Sequence, residues 1–158
     1  MNDLRRPTAS LLEGRGAQAL ATAREWLGTP VRWEASLKGV GCDCRGLLAG
    51  VCRENGWPEG DSLWGTMVGY SRRVDERVFL EGLDRLFLRV WPTAPLLEAK
   101  PLAGDILAFR IKGRAQHLAI ATGDGRMVHA YQTTPAQVIE QDIGTFWGNR
   151  LAGVWTWR

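Results

Sequence analysis

The last third of the chain is a run of short, alternating segments, and this run constrains the fold more than any other feature. The pattern predicts strands over residues 106–109, 117–122, 127–131, 137–140 and 154–157. Upstream, helical spacing predicts one helix over 17–27 and a second that begins after Asp43 and ends at Asn55-Gly56. Helices followed by an antiparallel sheet predict an α+β domain.

The bulk composition is that of one globular domain. The chain has 158 residues, 45% hydrophobic and 23% charged, which is enough to bury a core. We expect a polar arm over residues 1–16 and a single domain over residues 17–158. Residues 57–100 are harder to interpret, with a short helix over 74–80 and a strand over 86–90. The net charge of +3 comes without a long run of like charges, so no nucleic-acid partner is expected.

The N-terminal sequence does not resemble a secretory signal, and no apolar stretch approaches the roughly 20 residues of a membrane span. We therefore expect synthesis in the cytoplasm without a signal peptide. The cysteine count is three, and Cys42 and Cys44 are too close in sequence for an easy mutual bridge. A disulfide framework is not expected.

Cys44 occupies a position that favours a nucleophile. If Asp43 caps the second helix, Cys44 lies in its first turn, where the unpaired amides and the helix dipole stabilise a thiolate. The same amides would donate to an oxyanion that forms beside the sulfur. Cys52 lies further along the helix among leucines and is expected to be a buried core residue, and Cys42 precedes the cap.

The chain contains two histidines, His117 and His129, in the two arms of a predicted hairpin around Gly123-Asp124-Gly125. A two-residue loop would place the imidazoles on opposite faces of the sheet. A three-residue loop pairs Thr122 with Arg126 and places both imidazoles on one face as diagonal neighbours, within reach of a hydrogen bond. We predict the three-residue loop.

The face predicted to carry the two histidines also carries Ala119 and Ala121, whose small side chains would leave room for the helix that bears Cys44. A thiol, an imidazole and a group that orients the imidazole are the parts of a cysteine nucleophile site. An alternative is zinc, held by Cys42, Cys44 and the two histidines. The Cys-x-Cys spacing is tighter than structural zinc sites use, so no metal or other cofactor is expected.

Four segments, in order, resemble the NlpC/P60 family of cell-wall cysteine peptidases, and within it the phage cell-wall peptidase subgroup, which is associated with tails and gene-transfer-agent-like particles. They are AREWLGTP, GCDCRGL, LAGDILAF and HLAIATGDGRMVHA, at residues 23–30, 41–47, 102–109 and 117–130. The segment 146–151 also fits. The resemblance covers the chain from about residue 17 onward and is weakest between 57 and 100.

This resemblance implies a papain-like fold in which a helix bearing the cysteine packs on an antiparallel sheet. It implies hydrolysis of peptide bonds in peptidoglycan stems through a thioester, with Cys44 as nucleophile, His117 as general base and His129 as the residue that orients it. Two positions depart from the family pattern. Arg45 replaces a common serine, and Val31 stands where many members have a tyrosine, whose place Tyr131 is a candidate to fill.

The subgroup's genes accompany phage tail genes, so the resemblance also implies an enzyme carried in a virion-like tail, with tail or baseplate proteins as partners. Two alternatives to a peptidoglycan hydrolase remain open from the sequence. One is a structural tail or baseplate module that keeps the peptidase fold with weak or no activity. The other is an acyl or amide transfer enzyme that uses the same cysteine-histidine chemistry.

Overall fold

The protein is a six-stranded antiparallel sheet with the longer helices packed on one face and a short helix on the other. The computed structural model describes residues 9–67, 75–91, 100–132 and 134–158. The helices are α1 (Ala9–Glu25), α2 (Cys44–Glu54), α3 (Glu59–Met67), α4 (Glu76–Leu86) and α5 (Gly144–Gly148). The strands are β1 (Ser36–Leu37), β2 (Gly41–Cys42), β3 (Leu88–Trp91), β4 (Ile106–Ile111), β5 (Arg114–Ala121), β6 (Arg126–Tyr131), β7 (Gln137–Asp142) and β8 (Leu151–Thr156).

The large sheet has the order β3-β8-β4-β5-β6-β7, and β1 and β2 form a separate two-stranded ribbon. The predicted α+β class is confirmed, since the helices lie on an antiparallel sheet. Each of the five predicted strands of the last third is present, with bounds shifted by at most a few residues. The sheet therefore follows the alternation of the sequence closely.

The two faces of the sheet bury different clusters. One face carries Leu118 and Ile120 and packs against α1 and α2 through residues such as Trp26 and Leu47. The opposite face carries Leu107, Phe109, Ala119, Ala121 and Met127, and Trp147 of α5 covers it. Both surfaces of β5 are therefore buried along its second half, which explains why residues 118–121 are all apolar.

The first helix differs from the prediction. The pattern placed its start at Ala17, but α1 begins at Ala9 and absorbs the second half of the expected polar arm. Arg15, within that expected arm, bonds Glu59 and lies over the ring of Trp57. The predicted loose arm is thus wrong for residues 9–16, and residues 1–8 lie outside the described part of the chain. The proposed boundary of a domain at residue 17 stays a prediction.

The middle of the chain holds elements that the sequence did not reveal. Helix α3 and the ribbon β1–β2 were not predicted, and residues 31–41 were expected to be loop. Helix α4 begins at Glu76 with Asp75 as its N-cap, and position 74 of the predicted helix lies outside the described residues. The predicted strand over 86–90 is β3, displaced by about two residues. Among the described residues, no helix is both long and apolar enough to cross a membrane.

Candidate active site

The N-terminus of α2 is fixed by Asp43, as predicted. Its carboxylate accepts hydrogen bonds from the backbone N–H of Gly46 at 2.7 Å and of Glu34 at 2.9 Å. The first bond caps α2, and the second ties the preceding loop to the same residue. The helix ends at Asn55, also as predicted. Cys44 is thereby held as the first residue of a helix with a fixed start.

The sulfur of Cys44 lies against the backbone of β5, on both sides of His117. Sγ is 3.9 Å from the carbonyl oxygen of Gln116, and the N–H of Leu118 hydrogen-bonds the sulfur. Gln116 directly precedes His117, and Leu118 directly follows it. The structure therefore brings the cysteine of the second helix to the strand that carries the predicted base.

A gap in the sheet admits the sulfur. Strands β5 and β6 pair as Ile120 with Val128 and Ala121 with Met127, but the pairing does not extend back to His117. The β4–β5 register shifts between Phe109 and Arg110, which is a bulge next to His117. Bulges redirect neighbouring side chains and are common beside active sites. Cys44 therefore contacts β5 at residues that are not paired with β6.

The expected approach of the cysteine helix is wrong in one respect. Ala119 and Ala121 were expected to make room for it on the histidine face, but they pack in the cluster beneath Trp147. Helix α2 packs on the opposite face, against Leu118 and Ile120. The sulfur thus reaches β5 from the α2 side, while the histidine rings lie on the other. Among the described contacts, none is a hydrogen bond between Sγ and the His117 ring.

The hairpin has the predicted three-residue loop. The register extends from Ala121↔Met127 to Thr122, whose N–H donates to the carbonyl oxygen of Arg126 at 3.0 Å. Gly123 and Gly125 both have positive φ, which glycine adopts without strain. The two imidazoles consequently share one face, and the hairpin itself sets the geometry of the histidine pair.

His117 and His129 form a buried pair. Nε2 of His117 lies 2.7 Å from Nδ1 of His129, and the rings meet edge to face with centroids 5.0 Å apart. His117 is 6% exposed and His129 is fully buried. Because Nε2 of His117 is occupied by this hydrogen bond, Nδ1 is the nitrogen left for a reacting group. His129 therefore stands where an orienting residue would stand.

Aromatic rings enclose the histidine pair. Trp147 stacks on His117 with centroids 5.2 Å apart and meets His129 edge to face at the same distance. Tyr131 packs edge to face on His117 and stacks on His129. These rings hold both imidazoles in place and exclude water from them. Trp147 is buried in the cluster on this face, and its place beside the histidines was not foreseen from the sequence, because it depends on the tertiary fold.

The thiol of Cys44 is less acidic than its position in the helix predicted. Burial raises its pKa to about 11, and the negative charge of Asp43 acts in the same direction. The Leu118 N–H, the charge of Arg45 and the Arg45 N–H oppose these effects but are weaker. The expected stabilised thiolate is thus wrong for the resting protein, since desolvation outweighs the helix terminus.

The two histidines are neutral at pH 7. Burial, with a smaller contribution from the neighbouring His129, lowers the pKa of His117 to about 3. Burial also lowers the pKa of His129 to about 4, against a weaker raising effect of the Gln141 side chain. The resting site therefore holds a neutral imidazole and a neutral thiol, which is the state from which general-base deprotonation begins.

The structure also locates the candidate metal ligands and the residues Arg45 and Val31. In the described ranges, no three His, Cys, Asp or Glu side chains are grouped so that they could hold a metal ion. Cys42 and Cys52 are buried in the core beneath α2. The guanidinium of Arg45 lies 4.9 Å from the ring centroid of Phe79, so α4 supports the residue that replaces the family's serine. Val31 packs against the same core, without a polar group toward the site.

Comparison with solved structures shows the NlpC/P60 fold. The NlpC/P60 domain of the peptidoglycan hydrolase SagA is 22% identical, with a TM-score of 0.57 over 89% of this chain and 97% of that domain. An NlpC/P60 family protein from Bacillus cereus is 22% identical, with a TM-score of 0.55 over 88% of this chain. The peptidoglycan hydrolase RipB from Mycobacterium tuberculosis is 19% identical, with a TM-score of 0.57 over 98% of this chain.

The extent of these matches varies. This chain spans 39% of the Bacillus cereus protein and 69% of the RipB chain, so it corresponds to one part of longer proteins as well as to a single domain. No protein-family model matches the sequence, and no curated protein does either. In this chain the fold sets a helix with Cys44 at its start against an antiparallel sheet.

Proposed function

We propose that the protein is a cysteine endopeptidase that hydrolyses peptide bonds in peptidoglycan stem peptides. The observation that carries this proposal is the position of His117, which is bonded to His129 at 2.7 Å and lies on the strand whose backbone contacts the Cys44 sulfur on both sides of it. The likeness to solved peptidoglycan hydrolases supports the substrate class.

The proposed mechanism assigns one step to each group of the site. Nδ1 of His117 takes the thiol proton as Sγ of Cys44 attacks the carbonyl carbon of the scissile bond, which forms a tetrahedral oxyanion. Backbone N–H groups at the start of α2 face the developing charge. The C–N bond breaks, and the protonated His117 gives its proton to the leaving amine, which leaves a thioester on Cys44. His117 then deprotonates water, which hydrolyses the thioester.

Isolated sacculi provide the test of the proposed activity. We expect the wild-type protein to release muropeptides with new amino termini, measured by mass spectrometry, and the Cys44→Ala variant to release none. Cys52→Ala is the matched control, because it makes the same substitution in the same helix at a buried position. Release by Cys44→Ala equal to the wild type contradicts the proposal. No release by any of them supports the structural module instead.

We propose further that the protein is carried in a phage-like tail, where it opens the wall locally and contacts tail or baseplate proteins. The support is the likeness of the four motif segments to the phage cell-wall peptidase subgroup. Particles purified from producing cells and probed with an antibody should contain the protein in the tail fraction. Its absence from intact particles, with the protein free in the cell extract, contradicts this part of the proposal.

A further inference from the structure

One buried nitrogen of the histidine pair has no hydrogen-bond partner among the described residues. Nδ1 of His129 faces His117 across the gap between β6 and β5. Nε2, on the other side of the same ring, is buried and makes no hydrogen bond with any residue that the structure describes. Buried polar nitrogens are nearly always hydrogen-bonded, so an unpartnered one in a pair at a candidate active site calls for a partner.

The protons of the pair decide what that partner must be. At pH 7 both rings are neutral, so each carries one N–H, and the bond between them uses one of the two protons. If Nε2 of His117 is the donor, then Nδ1 of His117 is bare and able to accept a proton from Cys44. In that case His129 carries its proton on Nε2, and the missing partner is a hydrogen-bond acceptor.

The opposite arrangement disables the base. If Nδ1 of His129 is the donor, His117 carries its proton on Nδ1, toward the reacting group. It then has no lone pair with which to deprotonate the thiol. An acceptor at Nε2 of His129 would therefore select the competent tautomer of His117, one ring away.

Strand β7 supplies a candidate acceptor on the correct side. The sheet order is β5-β6-β7, so Nε2 of His129, opposite the nitrogen that faces β5, is directed toward β7. His129 pairs with Ile139, and Met127 pairs with Gln141. Gln141 therefore lies diagonal to His129 on the same face, a position that long side chains span. Gln141 is half-buried, and its side chain is near enough to raise the pKa of His129, which is the direction expected of an oxygen that accepts from an imidazole N–H.

We propose that the amide oxygen of Gln141 accepts a hydrogen bond from Nε2–H of His129 and thereby holds Nδ1 of His117 unprotonated, ready to take the thiol proton. Gln141 is then a positioning residue that acts through His129 and does not touch the substrate. This inference rests on the proposed function for its meaning, but its geometry is testable without any activity.

The test uses the fact that the chain contains only two histidines. Protein labelled with 15N-histidine has four ring nitrogens, and protonated and bare nitrogens give well-separated NMR signals. At pH 7 we expect the wild type to show Nε2 protonated and Nδ1 bare on both rings. In Gln141→Leu the acceptor is lost, and we expect the protons to shift toward Nδ1 of both rings.

Two further variants make the result specific. Gln141→Glu keeps an acceptor oxygen and should retain the wild-type pattern. Gln137→Leu removes the other diagonal neighbour of His129 on the same strand and should also retain it. A wild type with both Nδ1 atoms protonated overturns the inference. So does a Gln141→Leu pattern identical to the wild type, or a shift produced by Gln137→Leu alone.

An activity measurement separates this inference from the proposed function. On a soluble stem peptide, Gln141→Leu should lower kcat at least about tenfold with little change in KM, because the base is lost and binding is not. A wild type that is inactive but shows the predicted proton pattern contradicts the proposed function alone. An active wild type whose pattern and kcat are unchanged in Gln141→Leu contradicts this inference alone.

Discussion

Two opposing effects determine the pKa of the Cys44 thiol. The start of α2 and the backbone of β5 offer N–H groups to the sulfur, while burial and the charge of Asp43 oppose the thiolate. The net result is a pKa of about 11, above that of a free thiol. The thiol is therefore protonated at rest, and the proposed mechanism requires His117 to take its proton.

This state predicts slow alkylation at neutral pH. The rate at which iodoacetamide modifies Cys44 should rise with pH to a midpoint near 11, because the thiolate is the reacting form. Mass spectrometry of the digested protein measures the rate separately for each cysteine. Cys42 and Cys52, both buried with a pKa raised to about 12, should stay unmodified in the folded protein and react only in urea. A midpoint below 9 for Cys44 would indicate a resting thiolate and contradict this prediction.

Asp43 should stabilise the folded protein and also raise the pKa of the Cys44 thiol. Asp43→Ala removes the cap of α2 and the bond to Glu34 N–H, and should lower the free energy of unfolding by about 1–2 kcal/mol. Asp43→Asn keeps an acceptor oxygen and should cost less. In both variants the pKa of Cys44 should fall, because the negative charge that raises it is gone. Urea titration and the alkylation profile measure the two effects, and a Cys44 pKa that rises in both variants would contradict the account.

At the scale of elements, the local features of the site were predictable and the tertiary ones were not. The cap at Asp43 and the three-residue hairpin loop depend on a few adjacent residues, so the sequence reveals them. The bulge beside His117, the gap between β5 and β6 and the cover provided by Trp147 depend on distant segments. For that reason the histidine face was predicted correctly, but the side from which α2 approaches was not.

Two glycines test the part of helix α1 that precedes its predicted start at Ala17. A Cβ on Gly16 would lie 2.5 Å from the carbonyl oxygen of Ala103, whereas a Cβ on Gly14 would meet nothing within 4 Å. Gly16→Ala should therefore lower the free energy of unfolding by about 1–3 kcal/mol. Gly14→Ala is the matched control and should be neutral or stabilising by up to about 1 kcal/mol, because alanine favours a helix. Equal effects of the two substitutions in urea titrations would contradict the contact of α1 with the turn at Ala103.

At the scale of the whole molecule, the buried histidines link stability to pH. Their ordinary pKa is 6.5, and in the folded protein it is lowered to about 3 for His117 and about 4 for His129. Above pH 6.5 both are neutral in the folded and the unfolded chain, so they contribute no pH dependence. As the pH falls below 6.5, the unfolded chain binds protons that the folded protein does not, and the folded state loses stability.

The expected loss is about 1.4 kcal/mol per pH unit for each histidine, or about 2 kcal/mol each at pH 5. Urea titrations between pH 7 and pH 5 measure it, above the range in which most carboxylates titrate. The double variant His117→Gln/His129→Gln should have a nearly flat profile over this interval. A wild-type stability that is constant or rises as the pH falls to 5 would contradict the burial of neutral imidazoles.

The fold as a whole followed from the order of helices and alternating strands, and the NlpC/P60 likeness of the solved structures agrees with the motif segments. The pKa values of the site did not follow, since they depend on how many neighbours desolvate each group. Position at a helix start predicted an acidic thiol, and burial reversed it.

In the proposed mechanism the sulfur of Cys44 is the nucleophile and His117 is its general base. The most direct measurement is the intact mass of the protein quenched with acid within milliseconds of mixing with a soluble stem peptide. We predict an added mass equal to the acyl fragment, located by digestion on the peptide that contains Cys44, absent from Cys44→Ala and strongly reduced in His117→Gln. Product formation by the wild type with no adduct at Cys44, or with an adduct on another residue, would contradict the account.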